Sequence, residues 1–512
     1  MRRLVALLSL LLLAGTAAAQ SGGDFVEKRV PTERKELTFI GYYFVRTELS
    51  NVAPTNEFLK GQVVGRIFGG NTTRTSSQKS RFSEQRFMPM FTYTPRLFDG
   101  WAKMRASLEM DWTWGDANYG AGGNFGGAFG ADFANIQTQN LFMEFNPNRA
   151  NYVNLGLLRL YDSMMVPYYT PTDHLVYKGY RLAMFGSDAS GVQWFRHLAT
   201  DRRIKLGAYQ LYENNVEQTD DVTLYEAGYE MDLDLETSFG VSLHHLVDRG
   251  NGEGGVSILG QGLNSGLSNY NGVFNFNLGN EAYTADVNWL GTFFHRDPLL
   301  LQGNWGLGGF AWWNTGTVDT ATRSIDINGL AANLRVAHRW GAQAEDQIAL
   351  DGLFTTGDAD NVSDGTYNGV LTGNNWGAPG AVFFSHGLYL LLPHGNVVNR
   401  FNAAVIDVQN LGYGFSGGSL TIAKEIVPNK FRVKVGGGAG WATKTPTAMG
   451  SFIGSELNIN LRYRPKVFMD LELHAARMWL GDFYDSTVVN GGSDTRPMDP
   501  WTIFASLKWI MF

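Results

Sequence analysis

The stretch WAKMRASLEMDWTWGD, Trp101 to Asp116, holds a strict period of two. Ala102, Met104, Ala106, Leu108, Met110, Trp112 and Trp114 fall on one side of an extended chain. Lys103, Arg105, Ser107, Glu109, Asp111 and Thr113 fall on the other. Side chains of a strand alternate between faces, so this is a strand that is apolar on one face and ionic or hydroxylic on the other. Such a strand needs an apolar partner for one face and water for the other, and that requirement limits the folds open to the chain.

The pattern recurs. Thr223, Tyr225, Ala227, Tyr229 and Met231 alternate with Glu226, Gly228, Glu230 and Asp232; Leu457, Ile459, Leu461 and Tyr463 alternate with Glu456, Asn458, Asn460 and Arg462. Further apolar rows read Ile204–Leu206–Ala208, Tyr283–Ala285–Val287–Trp289, Leu330–Ala332–Leu334–Val336, Ile348–Leu350–Phe354 and Val467–Met469–Leu471–Leu473. Short turns are expected at 95–100, 146–151, 199–202, 235–236, 341–345, 427–430 and 464–466. Long connections are expected at 50–80, 115–134, 163–188, 249–280, 358–398 and 481–499. Short turns at one end and long loops at the other describe an all-β, transmembrane, antiparallel up-and-down β-barrel. A propeller or stacked-hairpin protein would need a constant repeat period, and none is present. The segments give about 18 strands, within a range of 16–20. The region 382–411 is either one more hairpin or part of a loop folded into the pore.

Composition agrees with that class. The chain has no cysteine, which removes disulfides and thiolate chemistry. After the leader there is no apolar run of about 18 residues, so helical spans are not expected. Without Arg2 and Arg3, 39 basic residues face 48 acidic ones, and a net charge of −9 argues against a nucleic-acid partner. The 62 glycines and 13% aromatics suit a barrel with glycine at its bends and aromatic girdles at its interfaces.

MRRLVALLSLLLLAGTAAAQ has the charge, apolar core and small-residue order of a secretory signal. The expected organisation is therefore a signal peptide over 1–19, a short periplasmic segment over 20–36 and an outer-membrane barrel over 37–512. The chain closes on WTIFASLKWIMF, a terminal aromatic strand suited to the barrel insertion machinery. Two parities compete there. Counting back from Phe512 puts Lys508 outward, whereas Trp501, Ile503, Ala505, Leu507 and Trp509 make the cleaner apolar row.

The segments LFTTGD (Leu353–Asp358), ADNVSDGTYNG, FFSHGLYL and NRFNAAVIDV, with NLFMEFNPNRANYVNLGLLRL (Asn140–Leu160), occur in an order that resembles the alginate-export-type family of outer-membrane porins. The resemblance implies an 18-stranded barrel along most of the chain; it does not imply alginate as the substrate. Leu158–Arg159–Leu160 stands where the family has an arginine–glutamine pairing in an early strand.

If the apolar faces meet lipid, the ionic faces line a lumen. Candidate lining residues are Lys103, Arg105, Arg335, Arg339, Lys430, Arg432, Lys434, Arg462 and Arg464. Folding the hairpins sets Arg203 opposite Asp232, Lys205 opposite Glu230, Arg335 opposite Asp351, and Glu109 near Arg86. Opposite charges across strands stabilise a wall by about 0.2–1 kcal/mol per pair. Lys430, Arg432, Lys434, Arg462 and Arg464 lack an obvious full set of partners, with Asp470 and Glu472 neutralising part of the group. They are the candidate element for attracting anionic or carboxylated solutes.

Asp358, Asp360 and Asp364 form a candidate calcium loop without the closing glutamate of a helix-loop-helix site, and a solvated acidic loop is the competing reading. GFSGG, Gly414–Gly418, matches a nucleophile motif, but it lies between strand-like segments and reads as a glycine turn. His244 and His245 point to opposite faces. No catalytic constellation emerges, and no enzyme is expected. The sequence predicts a porin of the bacterial outer membrane for small polar or carboxylated solutes, set in lipid and narrowed by loop 163–188 or 358–398. The alternatives are an exporter of an acidic polysaccharide and a plugged structural or adhesive barrel.

Overall fold

The computed structural model describes residues 36–54, 63–67, 73–114, 135–161, 185–251, 276–279, 281–371, 387–392, 400–406, 408–490 and 492–512. The expected signal peptide and nearly all of segment 20–36 lie outside them, as does most of loop 163–188. In chain order the strands are β1 (Leu37–Pro54), β2 (Val63–Arg66), β3 (Thr73–Tyr93), β4 (Ala102–Thr113), β5 (Asn135–Asn148), β6 (Asn151–Tyr161) and β7 (Phe185–Ala199). Then come β8 (Arg202–Tyr212), β9 (Val222–Asp232), β10 (Thr237–Asp248), β11 (Tyr283–Arg296), β12 (Trp305–Thr320), β13 (Ser324–Arg339) and β14 (Gln347–Thr355). The last are β15 (Thr366–Tyr367), β16 (Arg400–Ala403), β17 (Ser416–Val427), β18 (Phe431–Trp441), β19 (Phe452–Lys466), β20 (Met469–Leu480) and β21 (Trp501–Met511).

Each long strand pairs antiparallel with its neighbours, and β1 pairs with β21, so the sheet closes on itself. Leaving aside β15, a two-residue strand laid parallel on β13, the wall has 18 staves. Closure leaves no free edge, which a membrane demands because lipid cannot satisfy unpaired backbone groups. Strands β2 and β16 form a separate parallel pair.

The opening stretch is stave β4. Ser107, Glu109, Asp111 and Thr113 are buried inward, whereas Met104 and Trp114 are exposed outward. At the last strand the cleaner row holds. Ile503 and Trp509 are 44% and 41% exposed, while Lys508 turns inward to within 3.6 Å of Glu472.

Of the two readings open for region 382–411, the inward loop holds: the region is not a hairpin of the wall, since β14 pairs directly with β17. Its described parts fold inward: Leu388, Leu391, Ala404 and Val405 are fully buried, and Ala404 and Val405 donate their N–H groups to the Leu390 and Leu391 carbonyls at 2.7 and 3.0 Å. The row Tyr283–Ala285–Val287–Trp289 is apolar because it faces the interior, not lipid. With Leu224, Leu246, Trp312, Ile325 and Ile327 it packs against the inward loop, whose Leu371 carbonyl accepts from Trp289 Nε1 at 2.9 Å. The outer surface at this height is polar instead. His245 bonds Asn288 at 2.8 Å, Arg249 bonds Asp286 at 2.8 Å, and Trp313 Nε1 donates to Asn328 at 2.8 Å. On β10–β13 the two faces thus exchange polarity along the strands. Apolar residues face outward toward the short-turn end and inward toward the long-loop end.

Candidate functional site

The wall charges sit on inward faces toward the short-turn end, and most are paired. Lys103 and Arg105 converge on the single carboxylate of Glu144, at 2.9 and 2.7 Å. Arg86 bridges Glu109 and Asp111 at 2.7 and 2.8 Å. Arg335 meets Asp351 at 2.8 Å, in the register the sequence implied. Arg203 reaches Asp232 at 3.0 Å as expected, but its cross-strand neighbour is Glu230. Lys205 pairs with Glu226 at 2.6 Å instead of Glu230, because the hairpin register is displaced from the one inferred. Arg339 is a rim residue that donates to Asn304 and to the Leu300 carbonyl. Lys430 is exposed in the turn between β17 and β18.

The basic group on β18 and β19 is brought together as expected, with Arg432 directly opposite Arg462. Its partner was missed. Glu345, in the turn between β13 and β14, accepts from Arg432 at 2.6 Å and from Arg462 at 2.8 Å. Arg462 also lies 3.4 Å from Glu425, and Arg464 takes Asp470 at 2.7 Å. Burial alone would raise the Glu345 carboxyl, but the Arg432 and Arg462 guanidiniums outweigh it and hold the group below the ordinary carboxylate range. Glu345 looked like an ordinary turn residue because sequence spacing reports neighbours on adjacent strands and not a turn two staves away. Glu472 turns to His474 at 2.8 Å and to Lys508 at 3.6 Å. Lys434 lies within electrostatic reach of Asp351 and His474.

Immediately toward the long-loop end on the same strands, residues 387–392 press against the wall. The sequence KVGGGAGW makes room for them. Gly436, Gly438 and Gly440 face inward, and a Cβ at Gly436 would come within 3.2 Å of the Gly387 carbonyl oxygen. Added Cβ atoms at Gly438 and Gly440 would lie 3.1 and 3.4 Å from Leu388 and Leu391. The run GGG was a legible signal, since inward glycine in a strand marks a close approach of another backbone. Tyr389 then sits edge-on to His474 and Phe504, with ring centroids 5.2 and 5.8 Å apart. A folded-in arm and a ring of paired charges therefore meet at β18–β21.

The acidic loop does not gather a ligand set. Asp358 accepts the N–H groups of Asp360 and Asn368 at 3.1 and 2.9 Å, and Asp364 accepts that of Thr366 at 2.9 Å. A hydrogen bond donated by the protonated Asp360 carboxyl to Asp358 favours its neutral form and holds it above its ordinary range. Among the described residues no group of three His, Cys, Asp or Glu side chains is arranged to hold a metal ion. Ser416 of GFSGG opens strand β17, with no helix behind it.

A closed wall of 18 staves, apolar toward lipid and charged within, is the architecture of a porin-type membrane barrel. No protein-family model matches the chain, and no curated protein does. Solved structures do match. Acinetobacter baumannii OccAB4 is 10% identical, with 94% of this chain and 100% of that chain covered, at a TM-score of 0.47. Pseudomonas aeruginosa OpdK, solved with vanillate, is 13% identical, with 92% and 98% covered, at 0.47. P. aeruginosa OpdQ is 9% identical, with 92% and 97% covered, at 0.46.

Proposed function

We propose that the chain is an outer-membrane channel for the passive passage of small polar solutes, with a preference for carboxylated ones. The observation that carries this reading is the inward cluster Lys434, Arg432, Arg462 and Arg464, set beside the inward arm of residues 387–392. Arginine and lysine at a constriction favour anions, and acceptors such as Glu345 moderate that field so that an anion can leave again. Lys103 and Arg105 are paired with Glu144 and Arg335 with Asp351, and they serve the wall. Export of an acidic polysaccharide is the finer alternative. It would draw on the same cluster, but a polyanion needs a long run of open cations, and the pairs to Glu345, Glu425 and Asp470 favour short solutes. A plugged surface barrel is favoured by a different observation, the apolar filling of the long-loop half. Residues 1–19 serve as the export signal in this reading, and strand β21 with the adjoining Phe512 addresses the insertion machinery.

Planar-bilayer conductance of the purified chain tests the reading. Ion current with anion preference that falls when Arg432, Lys434 and Arg462 are replaced by glutamine is expected. Absence of current removes the channel in favour of the plugged barrel, and unchanged selectivity removes the role of the cluster.

A further inference from the structure

Among the described residues most inward carboxylates of the wall are met by arginine or lysine, as Asp111, Glu144, Glu226 and Asp351 are; Glu456 is met by backbone. Its side chain is buried, at 1% exposure, on the inward face of β19. Oε1 accepts the Tyr389 N–H at 2.8 Å and Asn458 Nδ2 at 2.8 Å. Oε2 accepts the N–H groups of Leu390 and Leu391, both at 2.8 Å. Asn458 Nδ2 also donates to the Gly387 carbonyl at 2.9 Å. Among the described residues no cation pairs with Glu456. Three successive N–H groups converging on one anion form a nest, a recurring anion-binding device of loops. The nest belongs to the arm and the carboxylate to the wall, so the bound anion is also what fastens one to the other. The next inward residues toward the short-turn end are Lys434 on β18 and Asn460 on β19, followed by Arg432 and Arg462.

We propose that the N–H groups of Tyr389, Leu390 and Leu391 are a carboxylate-binding site of the channel, with Glu456 as its resident occupant. A carboxylated solute arriving from the Lys434–Arg432–Arg462 cluster exchanges with Glu456 in the nest, and the exchange unfastens the arm from the wall. The site selects carboxylate over neutral polar groups because its four donors, three backbone N–H groups and Asn458 Nδ2, converge on one pair of oxygens. This inference rests on the channel reading above.

Single-channel recording of the full-length protein, with sodium benzoate and neutral benzyl alcohol as paired probes, tests it. In Glu456→Ala the nest is empty and the arm loose. Spontaneous gating should rise about tenfold or more, since several charge-assisted hydrogen bonds are lost together. Millimolar benzoate should refill the nest and suppress that gating, while benzyl alcohol should not. Heat-modifiable electrophoretic mobility reports whether the barrel has assembled. If the alanine variant does not assemble, Glu456→Gln carries the same test, because its amide is a weaker occupant that benzoate displaces. Gating like the wild type in the assembled variant, or equal responses to both probes, overturns the nest and leaves the channel reading standing. No current from the wild-type protein overturns both.

Discussion

Replacing Glu345 with glutamine isolates the electrostatics of the narrowing without touching its shape. Arg432 and Arg462 share this carboxylate at 2.6 and 2.8 Å, so its loss adds one net positive charge beside the path. At about 8 Å a unit charge acts on a passing ion by about 2 kcal/mol at an effective dielectric of ~20, or about 0.5 kcal/mol in bulk-like water. A wet lumen sits near the lower figure, and salt at 0.1 M roughly halves it again. Because anions gain what cations lose, the chloride-to-potassium permeability ratio should rise by about twofold to fivefold. The reversal potential in a potassium chloride gradient measures it. The wild-type protein should approach the mutant as pH falls. Glu345 has a depressed folded-state value, so the clamp is intact above the ordinary carboxylate value of about 4.3 and is lost as pH drops through the lower one. Convergence is expected below about pH 4. An unchanged reversal potential in Glu345→Gln at neutral pH would refute the assignment of this cluster to the path.

Other consequences follow from the same wall. Asp351→Ala removes the carboxylate that faces the buried Arg335 and should cost about 3–5 kcal/mol in reversible unfolding from lipid vesicles, whereas Arg335→Met with Asp351→Leu should be near neutral. Gly436→Ala puts a methyl 2.8 Å from Asn458 Oδ1 and 3.2 Å from the Gly387 oxygen; conductance should change while assembly, read by heat-modifiable mobility, survives. Leu334→Arg, on an outward position 57% exposed, should cost up to about 2–4 kcal/mol if it meets lipid, while Asn328→Arg above it should cost about 0–1 kcal/mol. Equal costs in vesicle refolding would contradict the reversal of polarity along β13.

What the sequence disclosed, and what it hid, divides along physical lines. Alternation over Ala102–Trp114 was enough to specify a stave and its orientation, because a strand obeys one local rule. The same rule misled at Tyr283–Trp289, where an apolar row faces an apolar loop. Periodicity tells that a face is covered, not by what. The pairs Arg335–Asp351 and Arg86–Glu109 were legible because hairpin neighbours are set by turn position. Lys205 was mispaired by a register displacement that turn counting does not register. Glu345 and the nest at 389–391 depend on parts of the chain that approach only after the ring closes. The glycines 436, 438 and 440 are the local hint of the second, since inward glycine in a strand marks the close approach of another backbone.

Strands β2 and β16 join residues 63–66 to residues 400–403 inside the lumen, with Ile67 N–H donating to the Ala403 carbonyl at 2.7 Å. That pairing links residues 63–66 to the final third of the chain, a separation of 337 positions in 512. Contacts of such sequence separation are slow to form because loop entropy is lost before they return any stabilisation. The apolar interior at the long-loop end therefore stays uncovered until late in assembly. A chain emerging from synthesis would carry two sticky faces at different heights, and a holding chaperone would have to shield both until the ring shuts.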